Sequence, residues 1–308
     1  MFEWLKKWSE GAAAPDALSE NVPLSTLTSF RVGGPARFVA RPGSAEELAE
    51  LLQAARAENF PYVVLGRGSN VLASDEGYGG LVVLLSGFDR IEAEGEILRA
   101  GAGVLMGTLA QAALEAGLSG LEFASGIPGT LGGGLFMNAG AYGGELCQVV
   151  ESVDVLLPDG MVRTLSNEEM AFSYRRSVLQ TKPWLALSAV IRLRAGDREE
   201  IRAAMRDLSA RRRDKQPLEF PSAGSTFKRP EGNFAGALIE QASLKGVRIG
   251  GAQVSDKHAG FIVNTGGASS RDVQELVRYV QEQVEKRSGI LLEPEVRFLG
   301  PDGLGELK

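Results

Sequence analysis

Two glycine-rich segments are the places where this backbone could bind a phosphorylated ligand. The first, Leu65-Gly66-Arg67-Gly68-Ser69-Asn70-Val71-Leu72, directly follows a short apolar run. The second runs Ser125-Gly126-Ile127-Pro128-Gly129-Thr130-Leu131-Gly132-Gly133-Gly134 and continues through Asn138-Ala139-Gly140-Ala141-Tyr142-Gly143-Gly144. Glycine reaches positive φ, and successive peptide N–H groups in such turns form anion-binding concavities. A short Gly-x-Gly is by itself most simply a tight turn. Residues 126–144, with eight glycines, are too glycine-rich for an ordinary element, and a bound ligand would offset the entropy lost on ordering them. No Gly-x-x-x-x-Gly-Lys-Ser/Thr occurs, and Gly101-x-Gly103-x-x-x-Gly107 misses the Rossmann fingerprint by one residue. Any dinucleotide site is therefore of another type.

Little else in the chain is reactive. It has one histidine, His258, and one cysteine, Cys147, so neither a disulfide nor a His/Cys metal site is expected. No base flanks Cys147, which reads as inert. Difficult redox chemistry must then come from an organic cofactor. The run Arg211-Arg212-Arg213-Asp214-Lys215 closes a helix, where cations favour the macrodipole and could also meet phosphate.

The elements that position these residues follow from patterning. Strands are expected at 36–40, 62–65, 81–85, 149–157, 161–164 and 184–194, with a hairpin pairing 90–93 and 96–99. A helix over about 44–58 has a Ser44/Glu47 capping box and an apolar face of Leu48, Leu51, Leu52 and Ala55. A helix at 107–116 stops at Gly117. Another at 198–213 turns Ile201, Ala204, Met205 and Leu208 inward. Towards the end come a helix near 235–243, a strand at 260–263, a helix at 271–287 stopped by Gly289 and a last strand at 294–299. Alternation on that strand puts Glu295 and Arg297 on the face opposite Val296 and Phe298.

The whole reads as α+β: a two-subdomain module followed by a smaller αβ domain. The expected division is a loosely attached leader at 1–20, subdomains at 21–86 and 87–212, a C-terminal domain at 213–300 and a tail at 301–308. A net charge of −6 argues against nucleic-acid and anionic-membrane partners. No apolar run approaches membrane-spanning length, and no signal peptide is evident, so the expected location is the cytosol; the sequence does not reveal the oligomeric state, and a monomer is favoured.

The pairing of Leu-Gly-x-Gly-Ser-Asn with Gly-Ile-Pro-Gly-Thr-x-Gly-Gly resembles the FAD-binding domain of the vanillyl-alcohol-oxidase and p-cresol-methylhydroxylase superfamily. Three further motifs resemble those of the UDP-N-acetylenolpyruvoylglucosamine reductase (MurB) family. Ser173-Tyr174-Arg175-Arg176-Ser177 is similar to its Tyr-Arg-x-Ser, and Ser222-Ala223-Gly224-Ser225-Thr226-Phe227-Lys228-Arg229-Pro230 to its Ala-Gly-Ser-x-Phe-Lys-x-Pro. Glu293-Pro294-Glu295-Val296-Arg297-Phe298 is similar to its terminal Glu-Val-Arg strand. The segment from Ser177 to Trp184 is short, which resembles the subtype lacking a tyrosine-loop insertion.

The resemblance implies an enzyme: an FAD-dependent oxidoreductase that uses NADPH to reduce UDP-N-acetylglucosamine enolpyruvate to UDP-N-acetylmuramate for peptidoglycan synthesis. It implies flavin contacts from Leu65, Gly66, Gly68, Ser69, Asn70 and Val71 in the first loop. In the second it implies Ser125, Gly126, Ile127, Pro128, Gly129, Thr130, Gly132, Gly133, Asn138 and Gly140, with Arg212 (or Arg213) beyond them. Arg175 is the expected carboxylate clamp, Ser225 the proton donor and Glu295 a protonated hydrogen-bond donor. Lys215, Lys228 and His258 are implied substrate contacts. Another FAD-dependent oxidase or dehydrogenase, or a non-catalytic flavin carrier, remains the alternative.

Overall fold

The computed structural model describes residues 2–14 and 16–307, so Met1 and Pro15 of the expected leader and Lys308 of the expected tail lie outside the described residues. The chain is mixed helix and strand and divides into two compact units. One comprises Met1–Ser19, Ala40–Gly66 and Val82–Arg212; the other comprises Glu20–Val39, Arg67–Leu81 and Arg213–Lys308. Residues 21–39 and 67–81, expected in the first subdomain, thus group with the C-terminal segment. The reason is pairing: Val71–Ala73 runs parallel to Arg297–Gly300, matching Val71 with Arg297 and Leu72 with Phe298.

In the first unit, the expected loose leader contains a docked helix, Glu3–Gly11. Leu5 and Trp8, three residues apart, share a face and are buried, and Trp8 Nε1 donates to the Glu47 carbonyl at 3.0 Å. Helix Ala45–Ala57 buries the expected Leu48, Leu51, Leu52 and Ala55. Ser44 Oγ caps it, but only half of the expected box forms: the Glu47 carboxylate accepts from Gly43 N (2.8 Å) and Ala13 N (2.9 Å) instead of returning to Ser44.

A five-stranded antiparallel sheet follows, in the order Val162–Ser166, Val150–Leu156, Leu185–Arg192, Ile97–Gly101, Ile91–Glu94. Its inward positions include Val153, Val155, Ala189, Ile191 and Leu98. Helix Met106–Ala116 ends at left-handed Gly117. Helix Arg198–Lys215 departs from expectation: Ile201 alone of the four apolar positions is buried, and Ala204 faces solvent. Residues 126–144 also depart, since Leu131–Met137 is an α-helix despite Gly132, Gly133 and Gly134. Close packing explains the glycines. A Cβ at Gly132 would lie 3.0 Å from Ala102 Cβ, and one at Gly134 would lie 2.9 Å from Leu146 Cδ1.

In the second unit, helix Ser270–Ser288 buries Val273, Leu276, Val277, Val280 and Val284 and stops at left-handed Gly289. Ser269 and Asp272 form a full capping box at its start. The helix packs on the strands Arg248–Ile249 and Ala252–Val254 of an antiparallel sheet that Ile262–Asn264 completes. The tail is not free: Gly303–Glu306 pairs as a hairpin with Arg297–Gly300. That last strand begins at Arg297, not at Pro294, so the strand-alternation argument for Glu295 fails. Residues 293–295 instead pair with 226–228, as described below.

Candidate active site

The glycine segments are shaped by their own hydrogen bonds. In the second, Gly129 N donates to Ile127 O, Leu131 N to Val104 O and Gly132 N to Ala102 O. Those N–H groups are consumed by the fold, so these residues can offer a ligand close approach but not these donors. Thr130 caps the glycine helix, its Oγ1 accepting from Gly133 N. Gly66 of the first loop lies against this cap: a Cβ there would sit 2.3 Å from Thr130 Oγ1. The two loops therefore meet where only glycine fits, and Gly133, with nothing but Thr130 Oγ1 near its missing Cβ, leaves side-chain-free surface beside them.

Arg212 approaches this cradle, its Cδ falling 2.9 Å from where a Gly126 Cβ would be. Burial lowers its pKa, partly offset by the Tyr142 phenol, yet an arginine stays charged. No carboxylate pairs with it among the described residues. A half-buried cation beside a glycine loop suits a phosphorylated cofactor such as FAD.

Arg175 occupies a strained turn. Ser173 and Arg176 exchange backbone hydrogen bonds (3.1 and 3.0 Å), and Arg175 between them has φ +57°. Left-handed geometry costs a non-glycine residue about 1–2 kcal/mol, and such strain clusters at functional sites. The turn is tied to the glycine helix. Buried Asn138, itself left-handed at the helix C-terminus, donates through Nδ2 to Ser173 O (3.1 Å) and to Glu145 Oε2 (3.0 Å), while its Oδ1 accepts from Cys147 N (3.0 Å). Its side-chain amide is thus engaged by protein, at odds with a side-chain role towards flavin. Gly140 O accepts from Arg175 Nη2 at 3.3 Å, and the guanidinium lies 5.0 Å from the Tyr174 ring centroid. Between Ser177 and Leu185 the only helical element is one turn, Val178–Gln180.

In the second unit Ser225 and Glu295 are brought together through the backbone. Glu295 N donates to Thr226 O (2.8 Å), Pro294 bridges Phe227 and Lys228 N donates to Glu293 O (2.8 Å). Ser225 is exposed and follows Gly224 at φ +78°. Thr226 is buried and its Oγ1 accepts from Ile262 N. Asn70 binds both sides of this region, donating through Nδ2 to Glu295 O (3.1 Å) and accepting at its own carbonyl from Arg297 N (2.9 Å). Gly68 is required in the same loop, since a Cβ would lie 2.3 Å from Leu27 O at a φ of +57°.

The remaining expected contacts differ in kind. Lys228 Nζ already pairs with Glu293 Oε2 at 3.0 Å. His258 accepts from Gly260 N at Nδ1 (3.1 Å) and meets Phe261 edge-on. Burial is the main cause that lowers its pKa; Lys245 and Lys215 push the same way, against a backbone hydrogen bond and Glu240. Lys215 therefore lies within electrostatic range of His258. Burial first, and then the Glu145 carboxylate, hold the Cys147 thiol protonated. Gln180 and Thr226 are residues that motif reasoning passed over, although both fall within or beside the quoted motifs. No group of three or more His, Cys, Asp or Glu suited to a metal occurs among the described residues.

Residues 36–166 match the model of the FAD binding domain, and residues 216–299 that of the UDP-N-acetylenolpyruvoylglucosamine reductase C-terminal domain. The UDP-N-acetylenolpyruvoylglucosamine reductase of Caldanaerobacter subterraneus subsp. tengcongensis is 51% identical over 91% of this chain and 93% of its own. The corresponding protein of Lactobacillus delbrueckii subsp. bulgaricus is 48% identical over 92% and 96%. The crystal structure of UDP-N-acetylenolpyruvylglucosamine reductase (MurB) from Thermus caldophilus matches with a TM-score of 0.79 at 39% identity, covering 90% of this chain and 97% of that one. The likeness read from the motifs is thereby confirmed, as are the α+β class and the FAD module. The chain belongs to the UDP-N-acetylenolpyruvoylglucosamine reductase family of FAD-dependent oxidoreductases.

Proposed function

We propose that this protein, acting as a cytoplasmic monomer, reduces UDP-N-acetylglucosamine enolpyruvate to UDP-N-acetylmuramate with NADPH, for peptidoglycan precursor synthesis. FAD, when bound, would supply the two-electron chemistry that couples NADPH oxidation to hydride addition at the methylene carbon of the enol ether. The glycine loops and Arg212 hold it: the Gly66–Thr130 approach leaves a surface free of side chains, and the desolvated Arg212 cation matches a diphosphate.

Hydride addition sends negative charge through the neighbouring carbon onto the substrate carboxylate. Arg175 binds that carboxylate with a planar fork that stays cationic throughout and stabilises the growing charge. Ser225 donates its hydroxyl proton to the carbon that bears the carboxylate. Glu295, in its protonated form, donates a hydrogen bond to the same anion; ionised, it would repel it. Lys215 contacts the substrate diphosphate, and neutral His258 offers a polar contact without adding charge. Lys228 orders the loop through Glu293 more than it binds substrate.

The observation that carries this reading is the backbone pairing of Thr226 with Glu295, which makes neighbours of the proposed proton donor's loop and the proposed acid. Anaerobic stopped-flow spectroscopy tests it. NADPH should bleach the yellow protein, and the enolpyruvyl nucleotide should restore the colour far faster than oxygen does. Rapid recolouring by oxygen, with none by the nucleotide, would make the protein an oxidase instead.

A further inference from the structure

The carbonyl of Arg175 is held by a residue with no role in the chemistry above. Gln180 Nε2 donates to Arg175 O at 2.9 Å and to Phe136 O at 2.8 Å, so both amide hydrogens are in use. Phe136 lies in the last turn of the helix Leu131–Met137, where carbonyls lack intrahelical partners. Ser177 Oγ reaches the same carbonyl at 3.0 Å. The Arg175 turn is therefore bolted to the end of the glycine helix, by Gln180 at its Arg175 carbonyl and by Asn138 at its Ser173 carbonyl. Left-handed backbone at a long side chain persists only where the surroundings over-determine it.

We infer that Gln180 is a positioning residue that keeps Arg175 left-handed and so aims its guanidinium at the substrate carboxylate. This rests on the carboxylate-binding role of Arg175 given above. Without the amide donors, the turn can relax to negative φ, and the same arginine then leaves from a rotated Cα. Gln180 touches neither substrate nor flavin in this scheme. Its effect should be confined to recognition of the carboxylate.

The test is calorimetric binding of two nucleotides to the FAD-loaded protein. One is the enolpyruvyl nucleotide; the other is UDP-N-acetylglucosamine, which lacks the carboxylate. Gln180→Met keeps the side chain's length and removes both donors, so it should weaken the first about tenfold, the equivalent of one displaced charge-assisted contact, and leave the second within about twofold. Gln180→Glu, which cannot donate, should act in the same direction if the methionine variant folds poorly. Equal weakening of both nucleotides would mean general damage and overturn the inference. So would unchanged binding of the first nucleotide in both Gln180 variants while Arg175→Ala weakens it. If Arg175→Ala itself binds both nucleotides normally, the carboxylate role fails, and the positioning role falls with it.

Discussion

The peptide N–H of Glu295 donates to the carbonyl of Thr226 at 2.8 Å, which fixes the distance between two motifs that lie far apart in the chain. Asn70 then fixes Glu295 from its other side by donating to its carbonyl at 3.1 Å. The acid's backbone is thus held at both its N–H and its C=O. Ser225, one residue before Thr226, is exposed.

Ser225→Ala separates the two half-reactions. Bleaching by NADPH needs no proton from this hydroxyl and should keep its rate. Recolouring by the enolpyruvyl nucleotide should slow by about 10²–10⁴-fold, the range for a lost general acid. Equal slowing of both phases would remove Ser225 from the proton-transfer step.

At Glu295 the order of two substitutions is informative. Glutamine keeps a neutral donor of similar length, whereas alanine removes it. If the acid works protonated, Glu295→Gln should retain more recolouring rate than Glu295→Ala. The opposite order, or loss of all activity in glutamine alone, would point to an ionised carboxylate.

Local signals in the chain were legible where one residue controls one junction. Gly117 and Gly289 stop their helices in left-handed conformation, and Ser44 starts one, as their types require. Leu5 and Trp8 carried the docked helix, but the Ala- and Pro-containing residues around them masked a two-position face. Gly132 to Gly134 hid a helix because propensity counts against glycine, while close approach to Ala102 and Leu146 demands it. Glycines also misled about donors: those at 129 and 132 spend their N–H groups on the protein. Arg175, Ser225 and Glu295 could be singled out as candidates through motif likeness. Gln180 was not, because its importance lies in where its amide lands, which no spacing rule encodes.

His258 should make stability depend on pH in a defined direction. Its pKa is lowered in the folded protein from 6.5, chiefly by burial, with Lys245 and Lys215 adding to the effect and a backbone hydrogen bond and Glu240 opposing it. Above that value both folded and unfolded chains carry a neutral ring, and His258 adds no pH dependence. As pH falls below it the unfolded chain takes up the proton first, so stability is lost until the folded pKa is passed. The stability difference between wild type and His258→Gln should therefore be flat above about pH 7 and drift in favour of the variant below it. Urea titrations at several pH values measure this, and a difference constant from pH 5 to 8 would show that the ring is not held neutral by its surroundings.

Asp75 supplies a test of how the segment 67–81 is fastened within its unit. Its carboxylate accepts from Ser270 N at 2.7 Å and from Arg271 N at 3.1 Å, two N–H groups at the start of helix Ser270–Ser288. These donors lack intrahelical partners, and a negative charge there also meets the positive end of the helix dipole. The preceding residue, Ser74, donates its N–H to Leu299 O at 2.8 Å, so one short stretch grips both the helix and the last sheet. Asp75→Ala should cost about 0.5–2 kcal/mol, as for a lost cap, and Asp75→Asn less, because one acceptor survives without the charge. The midpoint of urea unfolding should fall in that order with an unchanged slope, and the gap between Asp75→Asn and wild type should shrink at high salt as the charge is screened. An alanine variant as stable as wild type would mean that Ser269 and Asp272 cap this helix without help from the distant loop.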